Sequence, residues 1–132
     1  MGVEPYLLAS TLKCVVAQRL VRQLCPHCKR LTDSDDFEKK FVGVDKIFKA
    51  EGCDTCNGTG YFGRLALHEI LRVKKSVRDL ILYSRDLDKI RETALANDLE
   101  TLKVDGIKKI RAGLTTLAEV QRILGVEEFS DN

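Results

Sequence analysis

From Pro5 onward the apolar residues recur at helical spacing. Leu8, Leu12, Val16, Leu20 and Leu24 form one line, and Leu7, Cys14, Val15 and Val21 fill most of the remaining circumference at about 100° per residue. A narrow arc carries Thr11, Gln18 and Arg22. Pro5 suits a first helical turn, so the pattern predicts a helix running to about Leu24. A helix apolar on nearly every side is buried on every side. Either it is an ordinary core helix, or it packs in an oligomer or against chain that precedes it. Cys14 on that helix reads as a small core residue.

The next stretch, residues 25–60, is poor in apolar periodicity. Its middle, "TDSDDFEKKF", predicts a short helix capped by Asp33 or Ser34. "YFGRLALHEILRV" then alternates and is rich in Tyr, Phe and Ile, which predicts a strand or hairpin arm with Gly63 as a bulge or turn. From Ser76 the period is helical again. "SVRD" has a capping-box layout through Ser76 and Asp79. A second helix over about Leu87 to Asn97 turns Leu87, Ile90 and Leu95 inward. A third over about Leu102 to Ala112 turns Leu102, Ile107 and Ile110 inward and stops at Gly113. "TLAE" repeats the capping-box layout through Thr116 and Glu119. The helix after it buries Leu117, Val120 and Ile123 and stops at Gly125. The tail "EEFSDN" reads as frayed.

The expected fold is therefore α+β and mostly α. It comprises an N-terminal helix (1–24), a small cysteine module with short strands (25–73), a bundle of short helices (74–126) and a tail (127–132).

The 132 residues allow one domain or two small ones, and a composition of 44% hydrophobic and 32% charged residues is globular. No apolar run approaches the eighteen or so residues of a membrane span. The start "MGVEPYLLAS" has no basic stretch before an apolar core, so a signal peptide is not expected and the cytosol is favoured. A net charge of +2 is too mild to point to a nucleic-acid or membrane surface. "LKVDGIKKIRAGLTTLAEVQRIL" has a helix-turn-helix outline with Lys108, Lys109 and Arg111 nearby. A plain helical hairpin with a solvated face is the favoured reading, given the mild charge, and no nucleic acid is expected.

Four of the five cysteines form two CxxC pairs, Cys25-Pro-His-Cys28 and Cys53-Asp-Thr-Cys56. Each turn can set two sulfurs on one side of an ion, and a second turn closes a tetrahedral shell, which is the arrangement structural zinc prefers. Glycines after the second pair let the backbone curl so that its amides point at sulfur. The competing chemistries are a pair of redox dithiols, which lack the βαβ setting, and an iron–sulfur cluster. A closed four-cysteine shell leaves no position for a reacting water, so the metal's role is folding. Four thiolates on Zn²⁺ carry a net charge of −2, which Lys29, Arg30 and Arg22 are placed to offset. His27, between two cysteines, could replace one as a ligand, but four sulfurs already complete the set. His68-Glu69 is no zinc-protease pair, because position 72, where its second histidine would stand, is Arg72, and both histidines read as structural or surface residues. No GxxxxGK[ST] phosphate loop and no Ser/His/Asp set occurs, so the chain by itself is not expected to be an enzyme.

The segment "CDTCNGTG" resembles one zinc-binding repeat of the J-domain co-chaperones, but Cys28 is followed by "KRLT" and the repeat is not continued. A wider resemblance is carried by four stretches in order: "MGVEPYLLASTL", "AQRLVRQLCPHC", "GCDTCNGTGYFGRLALHEIL" and "LTTLAEVQRIL". Together, over about residues 2–125, they resemble the C-terminal region of the secretion ATPases, the motors of type II secretion and type IV pilus assembly. The resemblance implies that Cys25, Cys28, Cys53 and Cys56 bind zinc. It implies a parent that hydrolyses ATP with Mg²⁺ through motifs upstream of the part matched here, works as a hexamer and docks on inner-membrane platform proteins from the cytoplasm. The first helix would then pack on the parent's ATPase core. The alternative is a free-standing zinc-finger-like module that binds nucleic acid or protein. Whether Met1 is a native start separates the two readings.

Overall fold

The computed structural model describes residues 2–84, 86–97 and 99–130; Met1, at issue as a native start, lies outside them. The apolar run at the start of the chain is not one helix. Helix α1 covers only Pro5–Thr11, with Pro5 in its first turn, and Leu12 already has extended backbone. Strand β1 follows over Cys14–Leu24. The residues that follow include the β-branched pair Val15-Val16, which favours a pleated surface. Apolar residues on all sides at helical spacing are equally those of a short helix followed by a strand apolar on both faces. Periodicity alone does not separate the two. Cys14 is exposed at the head of the strand rather than buried in a helix.

Strand β2 (Arg30–Asp33) pairs antiparallel with β3 (Lys46–Lys49), Arg30 opposite Lys49 and Asp33 opposite Lys46. Between them lies helix α2 (Asp36–Val42). Its cap is Asp35 rather than Asp33 or Ser34, in a full capping box with Glu38. Strand β4 (Tyr61–Arg72) realises the alternating run and pairs with β1 in a second two-stranded sheet. Helices α3 (Lys75–Tyr83), α4 (Leu87–Ala96), α5 (Leu102–Arg111) and α6 (Leu117–Leu124) complete the order, with single 3₁₀ turns at Asp54–Cys56 and Val126–Phe129. The α+β, mainly helical class is as expected.

The chain groups into two compact units, Met1–Ala17 with His68–Thr101 and Gln18–Leu67 with Leu102–Asn132, each taken over its described residues. The helices expected to form one bundle are divided between them, because β1 and β4 each run through both. In the first unit α1 packs on α3 and α3 on α4. Its buried residues are small, Ala9, Val73, Val77 and Ala94. Leu87 and Leu95, expected inward, are 79% and 47% exposed, and Ala94 takes the inward position on α4. Ser76 does not cap α3, whose first residue is Lys75; its hydroxyl accepts from Asn97 Nδ2 at 2.9 Å.

The second unit holds the main core: Val21, Val42, Ile47, Leu67, Ile110, Leu117, Val120 and Phe129. Phe129 is 1% exposed and meets Phe41 edge-on at 5.8 Å. The segment read as a frayed tail is therefore anchored through Phe129, while Asp131 and Asn132 lie outside the described residues. At Gly113 the backbone turns with φ 65°, and an added Cβ would stand 2.5 Å from Phe48 Cδ2. Gly113→Ala is expected to lower unfolding free energy by about 2–3 kcal/mol through left-handed strain and overpacking. Urea denaturation measures it, and an unchanged midpoint would contradict this account.

Candidate metal centre

Cys25 directly follows β1, whose last residue donates from Leu24 N to the Leu114 carbonyl at 2.8 Å. Cys25 N donates to the Gly60 carbonyl at 2.9 Å, which ties the first CxxC turn to the end of the second. Lys29 N closes the first turn on the Cys25 carbonyl at 3.0 Å. In the second turn the Cys53 carbonyl accepts from Cys56 N at 3.2 Å and Gly58 N at 2.9 Å, and the Thr59 hydroxyl donates to the Cys56 carbonyl at 2.7 Å. Gly60 has φ 75°, and a Cβ there would lie 2.6 Å from that of Ala50. Only glycine lets this strand entry curl back so that Gly60 N points at Cys56 Sγ, at 3.1 Å.

All four sulfurs lie within 4.8 Å of one another. Cys25–Cys53 is 3.9 Å, Cys28–Cys56 3.8 Å and Cys53–Cys56 3.8 Å. A Zn–S distance of about 2.3 Å implies tetrahedral S–S edges of about 3.8 Å, so the donor set fits a tetrathiolate ion. The separations are far longer than the ~2.05 Å of a disulfide, and all four cysteines are free. Besides Gly60 N, Cys56 Sγ accepts from Cys53 N at 3.2 Å, and Cys28 Sγ accepts from Gly52 N at 3.3 Å. Burial acts to raise the Cys56 thiol, but these two amides and its sulfur neighbours outweigh it and lower it to about 6. Burial pushes the Cys28 thiol up to about 12 against the single amide from Gly52. The four cysteines are thus positioned to bind a metal ion.

The cations expected to offset the thiolates are committed elsewhere. Lys29 Nζ donates to the Gly113 carbonyl at 2.8 Å, Arg30 pairs with Glu51, and Arg22 pairs with Glu119 at 2.8 Å. Backbone amides supply the compensating positive dipoles instead. Gly52 was not anticipated in that role; its position next to Cys53 was the available signal. His27 is exposed, and neither it nor His68 joins the cysteine cluster.

Glu119 is the other residue that the sequence pattern misassigned. Thr116 caps α6 as expected, accepting from Glu119 N at 3.2 Å, but the Glu119 carboxylate does not close a capping box. Fully buried, it accepts from Arg22 N at 3.0 Å, Arg22 Nε at 3.0 Å and Nη2 at 2.8 Å, and Arg122 Nε at 3.0 Å and Nη2 at 2.6 Å. The Arg22 guanidinium also lies 4.1 Å over the Tyr61 ring, whose hydroxyl meets Thr116 Oγ1 at 2.8 Å. This cluster fixes the end of β1 just before the first ligand turn.

Two of the cations in the helix-turn-helix outline, both on α5, are turned to structural use. Lys109 Nζ donates to the Ala66 carbonyl at 2.6 Å and pairs with Asp105, and Arg111 Nε donates to the Val42 carbonyl at 2.7 Å. Among the described residues no helix is long and apolar enough to cross a membrane.

Residues 1–122 match the family described as type II/IV secretion system protein. The chain is 37% identical over 131 residues to the type IV pilus assembly ATPase TfpB of Acinetobacter baylyi, covering 94% of this chain and 22% of that protein. It is 39% identical over 127 residues to the type IV pilus assembly ATPase PilB of Thermus thermophilus, covering 91% and 14%. It is 38% identical over 128 residues to the type II secretion system ATPase E of Vibrio cholerae, covering 93% and 25%. The chain thus spans a quarter or less of the length of these relatives.

Proposed function

The chain belongs to the type II/IV secretion system protein family, and from that premise we propose that it is the zinc-stapled C-terminal module of an ATPase that drives type II secretion or type IV pilus assembly. The observation that carries this reading is the close approach of four sulfurs in a chain similar to such ATPases over more than nine tenths of its length. Cys25, Cys28, Cys53 and Cys56 hold the ion. Zinc bound there supplies a rigid cross-link and no open coordination position. Around it, the amides of Gly52, Cys53 and Gly60 orient the sulfurs, and the Cys25–Gly60 backbone bond holds the two turns at one distance.

In this reading ATP and Mg²⁺ are handled by the ATPase core of the parent protein, not by residues of this module. The parent is a hexamer in the cytoplasm, held at the inner membrane through platform proteins of its machine. The exposed apolar side chains of α1 and β1, among them Tyr6, Leu7, Val15 and Val16, support a surface covered by that core. The commitment of Lys109 and Arg111 to internal carbonyls speaks against the nucleic-acid alternative.

The test is metal analysis of the purified protein with X-ray absorption at the zinc edge. One zinc per chain with four sulfurs at about 2.3 Å is expected. A metal-free folded protein, or a shell with nitrogen or oxygen ligands, would overturn the reading.

A further inference from the structure

We propose that the four-cysteine centre is also a modification site for peroxides, at which the metal is exchanged for two disulfides between the turns, Cys25–Cys53 and Cys28–Cys56. This rests on the metal-centre reading above. Two observations carry it. The first is distance: these pairs bring their sulfurs to 3.9 and 3.8 Å and together use each cysteine once. The within-turn pair Cys53–Cys56 is as near, at 3.8 Å, but closing it leaves Cys25 and Cys28 only each other, and no within-turn contact of theirs is as short as those two cross-turn ones.

The second observation is access. Cys25 and Cys56 are buried, whereas Cys28 and Cys53 are partly exposed. Cys53 lines an open hollow with Glu51, Gly52, Asp54, Asn57 and Gly58. Each bridge therefore joins a partly exposed cysteine to a buried one. The accessible thiolate attacks a peroxide oxygen, breaks the O–O bond and becomes a sulfenic acid with release of hydroxide. The buried thiolate then attacks that sulfur and displaces a second hydroxide, forming the S–S bond. For both pairs, the tetrathiolate zinc and two H₂O₂ give two disulfides, Zn²⁺ and four hydroxides. The result keeps a covalent tie between the turns after the ion has gone.

The experiment uses the full chain as Cys14→Ser, which removes the exposed fifth thiol, with the unsubstituted chain in parallel. Zinc is first counted, hydrogen peroxide is titrated, released zinc is read with a chromogenic chelator, and tryptic peptides are mapped. Trypsin leaves each CxxC pair on one peptide, residues 23–29 and 50–64, so bridges between turns link the two peptides and within-turn bridges do not. The expected result is two peroxides consumed per zinc released, linked peptides whose fragmentation gives the two named pairs, and a cooperative thermal transition that chelation of the reduced protein abolishes. Unlinked peptides, the opposite cross pairing, or zinc retained in excess peroxide would overturn the inference and leave the metal centre standing. Absence of zinc before any peroxide would remove the metal reading itself.

Discussion

Cys25→Ser is expected to abolish stoichiometric zinc binding and with it the cooperative unfolding of the second unit. Structural zinc in small cysteine modules contributes roughly 10–16 kcal/mol of apparent binding energy. Whole domains have net stabilities of about 5–15 kcal/mol, so loss of the ion is comparable with everything else that holds the unit together. Strands β2 and β3 give little to compensate: each has four residues, and of these only Ile47 reaches the core, beside Val42 of α2. Cys25 is itself fully buried, so the serine also leaves a polar group in a place built for sulfur. Zinc content and thermal unfolding, with Cys14→Ser as the control, measure the effect. Equal zinc and an equal transition in Cys25→Ser would show that the ion is not a staple.

Glu119→Ala is expected to destabilise the protein by about 3 kcal/mol, near the lower end for breaking a buried ion pair. The carboxylate is completely enclosed, but the side chains of Arg22 and Arg122 are 46% and 55% exposed and regain water when it is removed. Burial alone would raise the Glu119 carboxyl. The Arg122 and Arg22 guanidiniums and the Arg22 amide outweigh it and hold it at about 2, against 4.5 for a free glutamate. Because the folded value lies below the unfolded one, the contribution is complete above about pH 4.5 and is lost as pH falls towards 2. Acid also strips thiolate-bound metal, so the informative curve is the difference between the native chain and Glu119→Gln. That difference should be level at neutral pH and shrink across the 4.5-to-2 window. A gap that persists at pH 2 would exclude a titration-linked role.

Where local chemistry alone sets the outcome, the sequence was legible. The two CxxC pairs predicted the sulfur cluster, and Thr116 and Gly125 bounded α6 as their types require. Misreadings arose where a partner distant in sequence decides. Leu20 and Val21 fit a helix as well as a strand until β4 supplies the pairing partner, more than thirty residues away. Glu119 has the spacing of a capping box, but Arg22 and Arg122 offer its carboxylate charged donors, which a backbone amide does not match. Phe129 looked like part of a polar tail because its contact, Phe41, lies on another element.

The interleaving of the two units has a consequence for synthesis on the ribosome. Chain emerges from one end, and both CxxC turns are complete once Cys56 is out, so the ion can be captured early. The core around them is not available then. Ile110, Leu117, Val120 and Phe129 are translated last, after every residue of the first unit has been made. During that interval a metal held by the four cysteines, as proposed above, would tie the nascent module together in place of its core. A cell short of zinc would therefore be expected to lose this protein during translation, to nascent-chain quality control, rather than by unfolding of finished molecules.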